Sequence, residues 1–359
     1  MNKDLHGGNI YKFQREGKND ILDYSSNINP LGVPQKFIDI AKESFDKLVN
    51  YPDPYYIELR KKIAEFNSVN MNNIIVGNGA TEILFLYIRA LKPKKVLILA
   101  PCFAEYERAL KSVSTNIEYF ELRESDNFYP NIINLKKEIE NNNYDLLLFC
   151  NPNNPTGQFI KLEDIKEIIE ICENKNTKIF IDEAFIEFVE NWKEKTVSLL
   201  KNKNIFIMRA FTKFFAIPGL RLGYGIGFDD EILKKMWEEK EPWTVNTFAN
   251  LAGLIMLDDK EYIEKSEKWI LEEKKFMYKE LSEFQYIKAY KTECNFILIK
   301  IYNTSSASLR DKMIEKNILI RDASNFKFLD YHFVRLAIKD RKSNLKMMET
   351  LAEFVEYRG

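Results

Sequence analysis

The sequence predicts an α/β protein, with a large domain built on a mostly parallel sheet and a small α+β domain after it. Three observations carry that prediction. Short apolar runs alternate with amphipathic stretches through the middle of the chain, as strands buried between helices require. Each run ends in a polar or glycine-bearing cluster, and in such sheets the chemistry gathers where strands end. Toward the C-terminus the pattern changes to long charged helices and then short strands.

In chain order, the opening residues are rich in Asn, Gly and Pro and read as an ordered arm, because polar segments of that length are usually functional or disordered. Ile74-Ile75-Val76 is the first buried strand and ends in Gly77-Asn78-Gly79, before a helix running to about Leu91. Val96-Leu97-Ile98-Leu99 and Leu146-Leu147-Leu148-Phe149-Cys150 follow, the second leading into Asn151-Pro152. A helix over Leu162 to Cys172 has Ile165, Ile168, Ile169 and Cys172 on one stripe. Ile179-Phe180-Ile181 stops at Asp182-Glu183, and Ile205-Phe206-Ile207-Met208 at Arg209-Ala210. Beyond lie a charged amphipathic helix, roughly Tyr262 to Ser282, and strands over Phe296 to Ile301, Ile318 to Arg321 and Phe333 to Ile338. The expected organisation is residues 1–45 as arm and part of the small domain, 46–254 as large domain and 255–359 as small domain.

Composition narrows the function. Lys and Arg number 53 against 54 Asp and Glu, so no global charge draws the chain to nucleic acid or an anionic membrane. No run of about 18 apolar residues predicts a membrane span. The N-terminus lacks an apolar signal core, so the expected compartment is the cytoplasm. Four scattered cysteines without a CxxC pair, and only two histidines, predict reduced thiols and no metal site.

Four clusters carry chemistry. Lys213 follows a buried strand among aromatics and glycines, where an apolar setting lowers a lysine pKa and leaves the neutral amine that a Schiff base needs. Thr212 and Arg221 flank it and could hold an anion. Asp182 ends a strand, where a carboxylate can pair with a protonated ring nitrogen; a helix cap would suit it equally. Asn154 lies in Asn151-Pro152-Asn153-Asn154-Pro155-Thr156-Gly157 and can donate to a phenolate-type oxygen. Gly79, Ala80 and Thr81 open a helix whose free N–H groups make a phosphate cup, and Glu82 stands where a dinucleotide fingerprint wants Gly or Ala. An aldehyde-bearing pyridine with a phosphate, a phenolate oxygen and a ring nitrogen is pyridoxal 5′-phosphate (PLP).

On these segments the chain resembles the fold-type I PLP enzymes of the class I/II aminotransferase family, over nearly its whole length. The resemblance implies that Lys213 bonds the cofactor aldehyde, Asp182 pairs with the pyridinium and Asn154 bonds the phenolic oxygen. It implies that Ala80, Thr81, Thr212 and Arg221 bind the cofactor phosphate and that Phe103 stacks on the ring. Tyr51, in Tyr51-Pro52-Asp53-Pro54, resembles the tyrosine that reaches the phosphate of a neighbouring subunit, which implies a homodimer with shared sites. Arg335 matches the arginine that clamps the substrate carboxylate.

Two branches of the family fit. Histidinol-phosphate aminotransferases share the segments at Tyr51, Gly77, Asn151 and Gly219, but usually carry Tyr where this chain has Phe185, and lack the opening His6-Gly7-Gly8-Asn9. That opening, with the segments 23–32, 103–110, 182–188 and 242–246, resembles the branch that decarboxylates L-threonine O-3-phosphate to (R)-1-amino-2-propanol O-phosphate for cobalamin biosynthesis. The expected substrate is therefore a small phosphorylated amino acid. His6 and Arg321, with Asn29 on the same side, are expected to take its phosphate, and Arg335 with Asn154 its carboxylate.

Overall fold

The computed structural model describes residues 6–356 and gathers seven strands into one sheet. Their order is Ile74–Asn78, Leu222–Gly227, Ile205–Ala210, Lys178–Asp182, Leu146–Cys150, Lys95–Ala100 and Asn116–Glu121. Leu222–Gly227 runs antiparallel to both neighbours and every other pairing is parallel. The central strands Leu146–Cys150 and Ile205–Ala210 are buried at every residue, which is why they read as continuous apolar runs.

Two strands of this sheet escaped the sequence reading. Asn116–Glu121 is an edge strand, half-buried and interrupted by charge. Leu222–Gly227 carries three glycines, and their absent side chains are needed. A Cβ on Gly223 would strike the backbone N of Ala80, and one on Gly225 the ring of Phe206. This glycine strand lets the helix Ala80–Leu91 start hard against the sheet.

A second sheet of four antiparallel strands, Arg321–Asp322, Phe333–Ala337, Phe296–Ile301 and Ile287–Ala289, follows the long helix Lys260–Ser282. The strand expected over Ile318 to Arg321 is in fact two. Ile318–Leu319 pairs in parallel with Leu22–Asp23 of the arm, and Arg321–Asp322 joins the second sheet. The expected boundary after residue 254 falls inside the helix Thr247–Met256.

The N-terminal segment is stitched to this second sheet. Ala337 N–H donates to Tyr24 O (2.9 Å), Asn295 Nδ2 to Asn27 O (3.0 Å) and Arg335 Nη2 to Ser25 O (2.7 Å). Behind the central sheet, Arg209 and Glu183 form a fully buried ion pair (2.7 Å), with Arg209 also bonded to Asn67 and Thr196 and lying over Trp192. Glu183 directly follows Asp182, and Arg209 lies four residues before Lys213, so the pair ties together the ends of the two strands that lead to them. Removing one partner would strand a buried charge, at a cost of about 3–5 kcal/mol.

Candidate active site

A cavity of about 340 Å³ opens where the central strands end. Asp182, Asn154, Ala80, Thr81, Thr212, Lys213 and Arg221, from around the large sheet, line it together with Arg321 and Arg335 from the four-stranded sheet and His6 from the arm. The volume is at the small end of ordinary ligand pockets.

Lys213 sits in the short helical turn Phe211–Phe214 directly after the strand Ile205–Ala210. Burial, then the nearby charges of Arg335 and Arg221, lower its ammonium pKa to about 8, so an appreciable fraction is neutral amine near neutral pH. Asp182 is buried at the end of Lys178–Asp182. Burial lifts its carboxyl to about 6, although hydrogen bonds from Tyr106 Oη (2.6 Å) and Ala184 N–H (2.9 Å) favour the carboxylate. Asn154 Oδ1 accepts from Arg335 Nη1 (2.6 Å). Arginine has no acceptor, so the amide must face it with its oxygen and keep its NH2 for a partner elsewhere.

The helix Ala80–Leu91 begins at Gly79, whose φ of 79° is left-handed, and no side chain caps it. A Cβ on Gly79 would come within 2.5 Å of Arg221 Nη2. Glycine therefore lets a guanidinium lie against the bare N-terminal turn, and both attract an anion. This cradle, with a buried acid and a low-pKa amine across one small cavity, fits the phosphate, ring nitrogen and aldehyde of PLP.

The other wall is cationic. Arg321 and Arg335 are directly opposed across adjacent antiparallel strands, so both side chains leave the same face of the sheet. Like charges so placed repel. Burial and then Arg321 pull the Arg335 pKa down to about 9, and Arg335 Nε is buried without a hydrogen-bond partner. Arg321 bonds Asp322 O and Asn325 Oδ1 and lies over Phe326. His6 Nε2 pairs with Glu105 Oε1 (2.9 Å), and its ring tilts against Phe103 at 5.5 Å.

Two expected residues stand elsewhere. Asn29 does not line the cavity: its Nδ2 donates to Phe214 O and Ser266 Oγ, both 2.8 Å, and its backbone N–H to Lys213 O. It braces the lysine turn instead of facing a ligand. Tyr51 is 81% exposed against Trp243 and does not line its own chain's cavity, as suits a residue expected at a neighbouring subunit's site; Phe45, Leu48, Val49 and Tyr55, near it in sequence, are exposed too. Sequence reasoning missed Tyr106, Glu105 and Ser25. Tyr106 follows Phe103 by three residues, a spacing that puts both on one side of a helical turn, and this was the available signal.

Among the described residues, no group of three or more His, Cys, Asp or Glu side chains could hold a metal, and no helix is long and apolar enough to cross a membrane. Residues 19–351 match the family model for aminotransferase class I and II. A protein of Caldanaerobacter subterraneus, provisionally named a threonine-phosphate decarboxylase, is 43% identical over 98% of this chain and 94% of its own. The threonine-phosphate decarboxylase of Salmonella typhimurium is 33% identical over 96% and 95%. An adenosylcobalamin biosynthesis bifunctional protein of Leptospira interrogans is 30% identical over 98% of this chain, which spans 41% of that longer protein. Among solved structures, the histidinol-phosphate aminotransferase of Clostridium acetobutylicum superposes with a TM-score of 0.87, 37% identity and coverage of 93% and 98%. The L-threonine-O-3-phosphate decarboxylase of Porphyromonas gingivalis gives 0.81, 26%, 92% and 98%.

Proposed function

The chain belongs to the aminotransferase class I and II family, and within it we propose that this PLP-dependent enzyme decarboxylates L-threonine O-3-phosphate to (R)-1-amino-2-propanol O-phosphate and CO2, in cobalamin biosynthesis. The observation that carries the choice of substrate is the opposed pair Arg321 and Arg335, two cations that leave one face of the sheet and line the cavity together. A phosphorylated amino acid brings a carboxylate and a phosphate.

When bound, PLP supplies an aldehyde for an amine and a cationic ring that accepts the electron pair released when a bond at the substrate α-carbon breaks. Lys213 offers the amine that holds it, and Asp182 the carboxylate for its ring nitrogen. Ala80 and Thr81 N–H, Thr212 and Arg221 would take its phosphate, Phe103 would cover its ring face, and Asn154 would donate to its ring oxygen. Arg335 and Asn154 grip the substrate carboxylate through a charge-assisted fork. Arg321 and His6 hold the phosphate end. With both ends fixed, the protein decides which α-carbon bond is aligned for cleavage, a positional form of catalysis. Lys213 Nζ would be the acid that returns a proton to the α-carbon.

Tyr51 and its apolar neighbours suit a second copy of the chain, which would form a homodimer with each Tyr51 serving the partner's phosphate cup. Four free cysteines suit the reducing cytoplasm. The test is an assay of purified protein with L-threonine O-3-phosphate and no keto-acid acceptor. CO2 and the aminopropanol phosphate are expected. Stoichiometric amino transfer to 2-oxoglutarate would instead support the aminotransferase reading, which the Clostridium likeness favours.

A further inference from the structure

We propose that Tyr106 is a positioning residue for the cofactor ring: its hydroxyl holds the Asp182 carboxylate ionised and turned so that it can grip the ring nitrogen's proton. The proposal rests on the PLP reading above and deepens it.

Tyr106 lies in the helix Glu105–Lys111 and is completely buried. It donates to Asp182 Oδ2 at 2.6 Å, a length typical of a bond to a charged acceptor. Ala184 N–H takes Oδ1. Each carboxylate oxygen has a second lone pair, so two donors fix the plane of the group and still leave acceptor capacity toward the cavity. Tyr106 is the one side-chain donor to Asp182 among the described residues.

The neighbouring groups cannot replace it. Glu183, next along the strand, repels a second negative charge and is committed to Arg209. Cys150, beside Asp182 in the parallel register, has its thiol pushed well up by burial and stays neutral, and Cys102 is pushed up to about 12. Lys213 is the remaining cation near Asp182, and the cofactor reading commits its amine to the aldehyde. A carboxyl this buried drifts toward its neutral form unless something holds the charge. The phenol can do so because burial and Asp182 push its own pKa far up, so it donates and does not ionise. Its ring also meets Phe103 edge-on at 5.7 Å and 84°. One side chain therefore braces both the acid behind the ring nitrogen and the aromatic expected over the ring face.

The test is Tyr106→Phe, which keeps the ring and its contact with Phe103 and removes one oxygen. In the cofactor-free protein, carboxyl NMR of Asp182 should show its titration midpoint rising by roughly one to two pH. In protein loaded with 15N-labelled PLP, the ring-nitrogen shift should move from protonated in wild type toward neutral in the variant at neutral pH. Turnover should fall about 10- to 100-fold, while KM for threonine phosphate changes less than about 3-fold. Site-specific 3,5-difluorotyrosine at position 106, a stronger donor of similar size, should lower the Asp182 midpoint, and this arm serves if the Phe variant folds poorly. Unchanged Asp182 titration and ring-nitrogen shift in Tyr106→Phe would overturn the proposal while leaving the cofactor reading intact. Failure of wild-type protein to take up PLP would overturn both.

Discussion

The two walls of the cavity are built on different principles. The part of the cavity at the ends of the parallel strands combines an open helix start and a buried acid with two long cations, Lys213 and Arg221. Asp182 is bonded on both oxygens, and the helix start at Gly79 is open by construction. The wall on the antiparallel sheet is made of long cations that oppose each other at Arg321 and Arg335, joined by His6 from an arm. One wall is already organised before anything binds. The other sets two like charges on one face of a sheet, a disposition that suits an anionic ligand. A cofactor that stays needs the first kind of wall, and a substrate that comes and goes suits the second.

That contrast can be broken by substitution. The largest effect belongs to the cofactor wall. Borohydride reduction should leave a pyridoxyl mass on residue 213 of the wild-type protein and none anywhere in Lys213→Ala, whose turnover should fall more than about 10³-fold. A pyridoxyl mass on a different residue in the wild-type protein would remove the lysine from its role.

On the cation wall, Arg335→Ala should lower kcat/KM by about 10²-fold or more, through both KM and kcat, while PLP loading stays intact. Arg321→Ala should reach a similar loss with threonine phosphate and spare unphosphorylated threonine. Reduced PLP content in either variant would mean that the two walls are not separable.

A pH series sharpens the same division. Lys213 has a lowered pKa of about 8, so its proton is lost as pH rises through that value. The rate of PLP attachment to the cofactor-free protein should therefore rise about tenfold from pH 7 and level off above about 8. A flat profile would show that the amine is not the limiting group.

The smallest effect is expected at His6, which is about half exposed and already paired with Glu105. His6→Ala should cost roughly 3- to 10-fold with threonine phosphate and little with threonine. Equal losses on both substrates would take phosphate reading away from it.

How much of this was legible in the sequence follows the same division. Groups at the ends of buried parallel strands could be placed, because Leu146 to Cys150 and Ile179 to Ile181 are apolar on both faces and their ends are marked by Asn-Pro and Asp-Glu. The glycine strand Leu222–Gly227 was hidden because glycine is depleted in strands, and here it serves a close approach. The opposition of Arg321 and Arg335 depends on the register between two strands and cannot be read from spacing. Asn29 sat in a motif of the expected kind, but a motif does not say which way an amide turns.

The bond from Arg335 to Ser25 spans 310 residues. A ribosome releases the arm long before the strand that anchors it has been made. Until then Tyr24, Ser25 and Asn27 lack the edge they will join, and closing so long a loop is among the slower events of folding. A segment made some 310 residues earlier is thus among the last to find its place, and a chain cut short before Arg335 would lose the proposed carboxylate clamp and a tether of the arm in the same stroke.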